Sequence, residues 1–258
     1  MTMSLLLVAG LAILSATALA THLTESPGPV QMVISGQSLA FEAPPGYCAF
    51  DQGIETDRLA FEITARALAP ENRLLAHFMN CEDYRRMHAG TLDRVGRFAL
   101  VMIPGVQANS SPRHRGMSRA AFIGQLTEAF ESEAVMKQVS GMIQQKFADL
   151  DLDHVLLSET LDENLTAEQR RILEQLRSDV LAGRFSFFPL DADNYAAYVG
   201  HSVPLEKEIQ AGVGAVTLVN EIAIMISVYD TPARLELYEE LKGVANWMVR
   251  KAIAASES

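Results

Sequence analysis

Several enzyme signatures are missing from this 258-residue chain: it has no G-x-S-x-G elbow, no H-E-x-x-H zinc helix and no Walker loop. Gly212-Val213-Gly214 lacks the third glycine of a dinucleotide fingerprint and leads into a predicted strand. Positive charge is scarce, with 21 Lys and Arg against 32 Asp and Glu and a net charge of −11. That balance argues against general nucleic-acid binding, which needs cationic groups to displace counterions. After residue 20 no run is apolar enough to span a bilayer, and no internal repeat or low-complexity tract appears. With 49% hydrophobic and 21% charged residues, what remains is a globular composition with ample material for a core.

The N-terminus reads as an export signal. Leu5–Leu14 is a compact apolar run, and Ser15-Ala16-Thr17 leads to the small-x-small ending Ala18-Leu19-Ala20. This order matches the apolar region and cleavage site of a secretory signal, so residues 1–20 are expected to be removed and the mature chain to be periplasmic or secreted. No Lys or Arg precedes the run, which keeps an uncleaved N-terminal anchor as an alternative. Position 21 is Thr, so there is no cysteine there for lipid attachment. Export also bears on the two cysteines, Cys48 and Cys81: an oxidising compartment favours their pairing, with two separate buried thiols as the alternative.

A linker over 21–29 precedes a single α+β domain over 30–258. Val30–Ile34 and Ser38–Glu42 read as strands around a Gly36 turn, and Tyr47–Phe50 as a short extended piece. Thr56 or Asp57 is placed to cap a helix running through Ala69, with Leu59, Ile63 and Ala67 inward. Arg73–Met79 and Arg97–Ile103 are apolar on both faces and predict central strands, separated by a short helical stretch in Glu82–Ala89. Spacing at threes and fours makes Ser118 to about Ala148 helical, with a break near Ser140-Gly141, and a second helix from Thr166 to Gly183 completes an insertion over 118–183. Arg184–Leu190, Tyr195–Val203, Gly214–Val219 and Glu221–Tyr229 form an antiparallel meander, the last two joined at Asn220. Thr231-Pro232 is a start signal for a closing helix to about Ala254 that buries Leu235, Tyr238, Leu241, Val244, Ala245, Met248 and Ile253. The expected architecture is a layered sandwich with a mainly antiparallel central sheet flanked by helices.

This order of elements, with an N-terminal hairpin, Pro44-Pro45-Gly46-Tyr47 before a helix, and a late hairpin over 214–230 leading to a C-terminal helix, is similar to the PsbP-like α/β/α sandwich family of extrinsic and exported proteins. The resemblance covers both ends of the mature chain rather than the middle. It implies a binding or accessory role.

Three local patterns carry candidate chemistry. His77, Met79 and Cys81 fall on one face if their strand continues through Cys81, and this donor set suits a soft metal such as copper(I); the competing reading is a buried strand whose cysteine is in a disulfide. Asp149–Asp153 opens like a calcium loop, but His154 and Thr160 stand where the glycine and the bidentate glutamate are needed, so it reads as a solvated helix end. From Arg85 to Arg119 seven arginines (Arg85, Arg86, Arg94, Arg97, Arg113, Arg115, Arg119) face one acid, Asp93. Arginine forks suit carboxylates and phosphates, so Arg85, Arg86, Arg113, Arg115 and Arg119 are the candidate surface for a protein or small anionic partner. The alternative is neutralisation by the acid-rich segment Glu128–Asp179. Asp51, Glu55, His77 and His88 are candidates to converge near the Cys48–Cys81 link as a dispersed catalytic site. No cofactor is expected. The leading expectation is a non-enzymatic exported binding or accessory protein, with the enzyme and the metal carrier as rivals.

Overall fold

The computed structural model describes residues 28–68, 72–92, 95–105, 113–139, 141, 186–205 and 208–257. The chain opens with a hairpin of β1 (Val30–Ile34) and β2 (Gln37–Phe41), paired in register from Val30 opposite Phe41 to Ile34 opposite Gln37. Its turn residues, Ser35 and Gly36, both have positive φ, the backbone that lets a two-residue turn follow the right-handed twist of the strands. Then come β3 (Tyr47–Ala49), α1 (Glu55–Leu68), β4 (Asn72–Asn80), α2 (Cys81–His88), β5 (Phe98–Pro104) and α3 (Arg119–Glu131). After the middle of the chain follow β6 (Ser186–Ala192), β7 (Ala197–Leu205), β8 (Glu208–Val219), β9 (Ile222–Asp230) and α4 (Leu235–Glu257).

Strands β3 to β9 make one antiparallel sheet in the order β3-β4-β5-β9-β8-β7-β6. The pairing of β5 with β9, from Phe98 opposite Tyr229 to Met102 opposite Met225, joins the first half of the chain to the late meander. Each sheet face is covered. On one face Phe78, Val101, Val213, Ile226 and Val228 lie in a core with Leu237, Leu241, Ala245, Met248 and Val249 of α4, together with Leu39 and Phe41 of the hairpin. On the other, Leu100, Met102, Val199, Val216 and Met225 share a core with Leu68 of α1 and Phe122, Ile123, Leu126 and Phe130 of α3. This is the α+β layered arrangement the pattern predicts.

Local differences have physical causes. The structure turns α1 so that Ala60, Ile63, Thr64 and Leu68 are buried, and Asp57 lies inside the helix rather than capping it. Strand β4 ends at Asn80, because the Asn80 side chain accepts from Glu82 N at 2.9 Å and starts α2 at Cys81. Helix α3 stops at Ser132, short of the predicted break at Ser140, and the Ser132 hydroxyl then accepts from Val135 N to begin helical turns over 133–139. Helix α4 starts at Leu235 rather than at Pro232, and Leu235 is 82% exposed instead of buried. The Thr231-Pro232 bond is cis, and Ala233 N donates to Ile209 O, so this stretch runs beside β8 before the helix begins. The export segment, Asp149–His154 and the helix from Thr166 to Gly183 lie outside the described residues.

Candidate functional site

A polar cluster sits where α1 meets α2, beside the Cys48–Cys81 disulfide. That bond joins β3 to the first residue of α2 across 33 residues, with the Cα atoms 4.9 Å apart. Between β3 and α1 the chain turns through Asp51, whose carboxylate accepts from Gly53 N at 2.8 Å. The Asp51 amide donates to Asp57 Oδ2 at 2.8 Å. From α2 the Tyr84 hydroxyl donates to the same oxygen at 2.6 Å, and His88 Nε2 lies 2.7 Å from Asp57 Oδ1. Asp57 is completely buried, whereas the His88 side chain keeps 18% of its surface in solvent. A buried carboxylate thus stands beside an imidazole that still reaches water, a pairing of acid and potential general base. Burial, reinforced by the bond to the Asp57 carboxylate, pushes the Tyr84 phenol well above its ordinary range.

Of the four residues expected to converge here, Asp51 and His88 do, through Asp57, and His77 lies one ring further in. Glu55 is the exposed first residue of α1. Asp57 and Tyr84 were not assigned to a site from sequence. The i, i+4 spacing of Tyr84 and His88 on one helix face was the available signal, but nothing local points from either to Asp57.

His77 is buried in β4, stacked on Phe50 at 4.0 Å and edge-on to Phe98 at 6.1 Å, and neither ring nitrogen has a hydrogen-bond partner among the described residues. Burial lowers its pKa to about 3, so the ring is neutral. The rings continue across the sheet: Phe98 stacks on Tyr229 at 4.5 Å, and Tyr229 meets His201 of β7 at 5.0 Å. His201 reaches Tyr229 over Gly212 of β8, where a Cβ atom would stand 2.0 Å from His201 Nε2. Met79 is buried with Phe50, Tyr84, Met87 and Leu92. Cys81 does not share the strand face with His77 and Met79, because the strand has ended, and its sulfur is bonded to Cys48. Among the described residues no group of three or more His, Cys, Asp and Glu side chains is placed to hold a metal ion.

The arginines divide between the two ends of the sheet. Arg85 and Arg86 lie on α2, past the Asn80 end of β4; Arg85 Nε donates to Cys81 O at 3.0 Å, and Arg86 donates to Thr91 O and lies 3.9 Å from Asp83. Arg97, beside that end, binds Asp230 at the close of β9 through both Nε and its terminal nitrogen. Arg113, Arg115 and Arg119 lie at the opposite end, next to the β8–β9 turn. Arg113 bridges to Ile222 and its Nε donates to Glu221 Oε2 at 2.5 Å, while Arg119 Nε donates to Leu218 O at 3.0 Å. The Gly116 amide donates to Glu221 Oε1 at 3.1 Å, and this bond, followed by the Arg113 contact, holds the Glu221 carboxyl below its usual range. Arg115 is exposed in the turn between Arg113 and Gly116. Among the described residues Arg86, Arg97 and Arg113 pair with Asp83, Asp230 and Glu221, while most of Glu128–Asp179 lies outside the described residues. Arg94 lies outside the described residues.

No helix among the described residues is long and apolar enough to cross a membrane. A scan against protein-family models finds no match, and a search of curated proteins finds no relative.

Proposed function

We propose that this chain is an exported binding or accessory protein that recognises an acidic protein surface or a small anion through the 113–119 segment. The observation that carries the reading is the pinned turn. Glu221 is held from three directions, by Arg113 Nε, by Gly116 N and through its own carbonyl by His114 N at 2.7 Å, and the turn so fixed presents Arg115 to solvent. A guanidinium on a fixed backbone gives up less conformational freedom on binding than one on a free loop. The disulfide supports the exported location, since such bonds persist in oxidising compartments. The resemblance of the element order to PsbP-like proteins favours an accessory role, as an analogy of fold.

The test uses the mature chain with two probes, a polyglutamate peptide and inorganic pyrophosphate, titrated calorimetrically at low and high salt. Binding to one of them that weakens with salt and is abolished by Arg115→Glu is expected; binding unaffected by Arg115→Glu removes the segment from the reading. Sequencing the N-terminus of protein recovered from an exporting host is expected to begin at Thr21, and retention of Met1 refutes cleavage. One observation favours the enzyme as a second reading: the part-exposed His88, with its Nε2 2.7 Å from the buried Asp57 carboxylate. It predicts turnover of a chromogenic ester, phosphate or glycoside that falls about 100-fold or more in His88→Gln, the scale of one lost acid–base group.

A further inference from the structure

We infer that the Cys48–Cys81 bond is a redox-operated clasp on α2, opened by a dithiol reductant and closed by re-oxidation, with the rest of the sheet remaining folded in both states. The inference is independent of the Arg115 reading.

Helix α2 is eight residues long, well short of the 12–15 at which isolated helices become even marginal in water, so it persists by its attachments. These include the disulfide at its first residue, the bond from the Cys81 amide to Gly46 O, the bond that Asp83 accepts from Gly96 N, the buried side chains of Tyr84 and Met87, and the two contacts that Tyr84 and His88 make with Asp57. Only the first is covalent, and both cysteines are half-buried rather than sealed in the core. Their surroundings differ. Cys48 packs against the cluster of Phe50, Met79 and Tyr84, whereas Cys81 stands at the N-terminus of α2, where Asn80 caps the helix. The partial positive charge of a helix N-terminus favours a thiolate there, which makes Cys81 the better leaving sulfur.

The exchange balances without any group beyond the dithiol. A thiolate of the reductant attacks Cys48 Sγ, a mixed disulfide forms there, and the Cys81 thiolate leaves. The second thiol of the reductant attacks the mixed disulfide, releasing Cys48 and leaving the reductant as its cyclic disulfide; two electrons have entered the protein. With the bond open, α2 is held to the corner by non-covalent contacts alone. Two of the three groups that meet the Asp57 carboxylate depart with it, and only the Asp51 amide stays. Strands β8 and β9 have no part in the clasp, because they lie on the far side of β5 from it.

The experiment follows amide hydrogen exchange by mass spectrometry on the mature chain, oxidised, treated with dithiothreitol in native buffer, and re-oxidised with oxidised glutathione. Peptides covering 81–90 are expected to exchange at least 10-fold faster after reduction and to recover on re-oxidation, while β8 and β9 peptides stay protected throughout. Cys48→Ser with Cys81→Ser should reproduce the reduced pattern without reductant. The inference is overturned if α2 exchanges equally in both states, if protection is lost across β8 and β9 as well, or if dithiothreitol leaves the bond intact in native buffer.

Discussion

Replacing Asp57 with Ala tests whether the α1–α2 corner is held by its carboxylate. Asp57 is fully buried and accepts from the Tyr84 hydroxyl at 2.6 Å and the Asp51 amide at 2.8 Å, with His88 Nε2 at 2.7 Å. Removing it strands a buried hydroxyl and a backbone N–H, each costing about 1–3 kcal/mol. The expected loss for Asp57→Ala is therefore about 3–5 kcal/mol, the range for breaking a buried charged network on one side. Tyr84→Phe leaves the ring packing and removes one charge-assisted bond, for about 1.5–3 kcal/mol. In Asp57→Ala that hydroxyl has already lost its acceptor, so Tyr84→Phe should cost little there, and the double-mutant cycle should show a coupling above about 1 kcal/mol. Urea unfolding followed by circular dichroism measures all four corners, with unchanged slopes required so that the midpoints report stability. A loss below about 1 kcal/mol in Asp57→Ala, or coupling near zero, refutes the corner as a stabilising network.

Three other expectations follow from separate sites. Gly212→Ala places a methyl 2.0 Å from a buried imidazole and should cost more than about 2 kcal/mol, with a smaller cost in a His201→Ala background; a loss within about 0.5 kcal/mol in calorimetry refutes the contact. His77 and His201 are each lowered to about 3 by burial, so between pH 6.5 and 3 the unfolded chain binds protons that the folded chain does not. Stability then falls as pH falls through that window, by about 1.4 kcal/mol per pH unit for each histidine, and urea midpoints of His77→Leu between pH 6.5 and 4.5 should show one such slope removed. Arg113→Ala removes a partly exposed pair with Glu221 and should cost under about 1 kcal/mol by thermal melting. A larger loss would make that pair a fold element rather than a means of presenting Arg115.

The elements themselves were legible because their causes are local. Alternation in β1 and β2, the Gly36 and Asn220 turns, and the apolar runs of β4, β5 and β9 need no partner to be recognised. The disulfide was legible as a pairing favoured by export, and the structure forms it. The misreadings arose where a side chain is committed far along the chain. Asp57 looks like a helix cap, yet its partners Tyr84 and His88 lie 27 and 31 positions on. Leu235 fits the helical apolar pattern, yet the segment before it runs beside Ile209 and leaves it in solvent.

The arginine-rich segment divides the two kinds of information most clearly. Sequence alone determined that seven guanidinium groups lie within 35 residues of an acidic chain, because composition needs no fold. Where they stand was decided by β5 crossing from one end of the sheet to the other between Arg97 and Arg113, and by β9 pairing with β5. That pairing puts Asp230 beside Arg97, and the β8–β9 turn carries Glu221 to Arg113. Such contacts span 133 and 108 residues, a range over which no local pattern in a sequence constrains geometry.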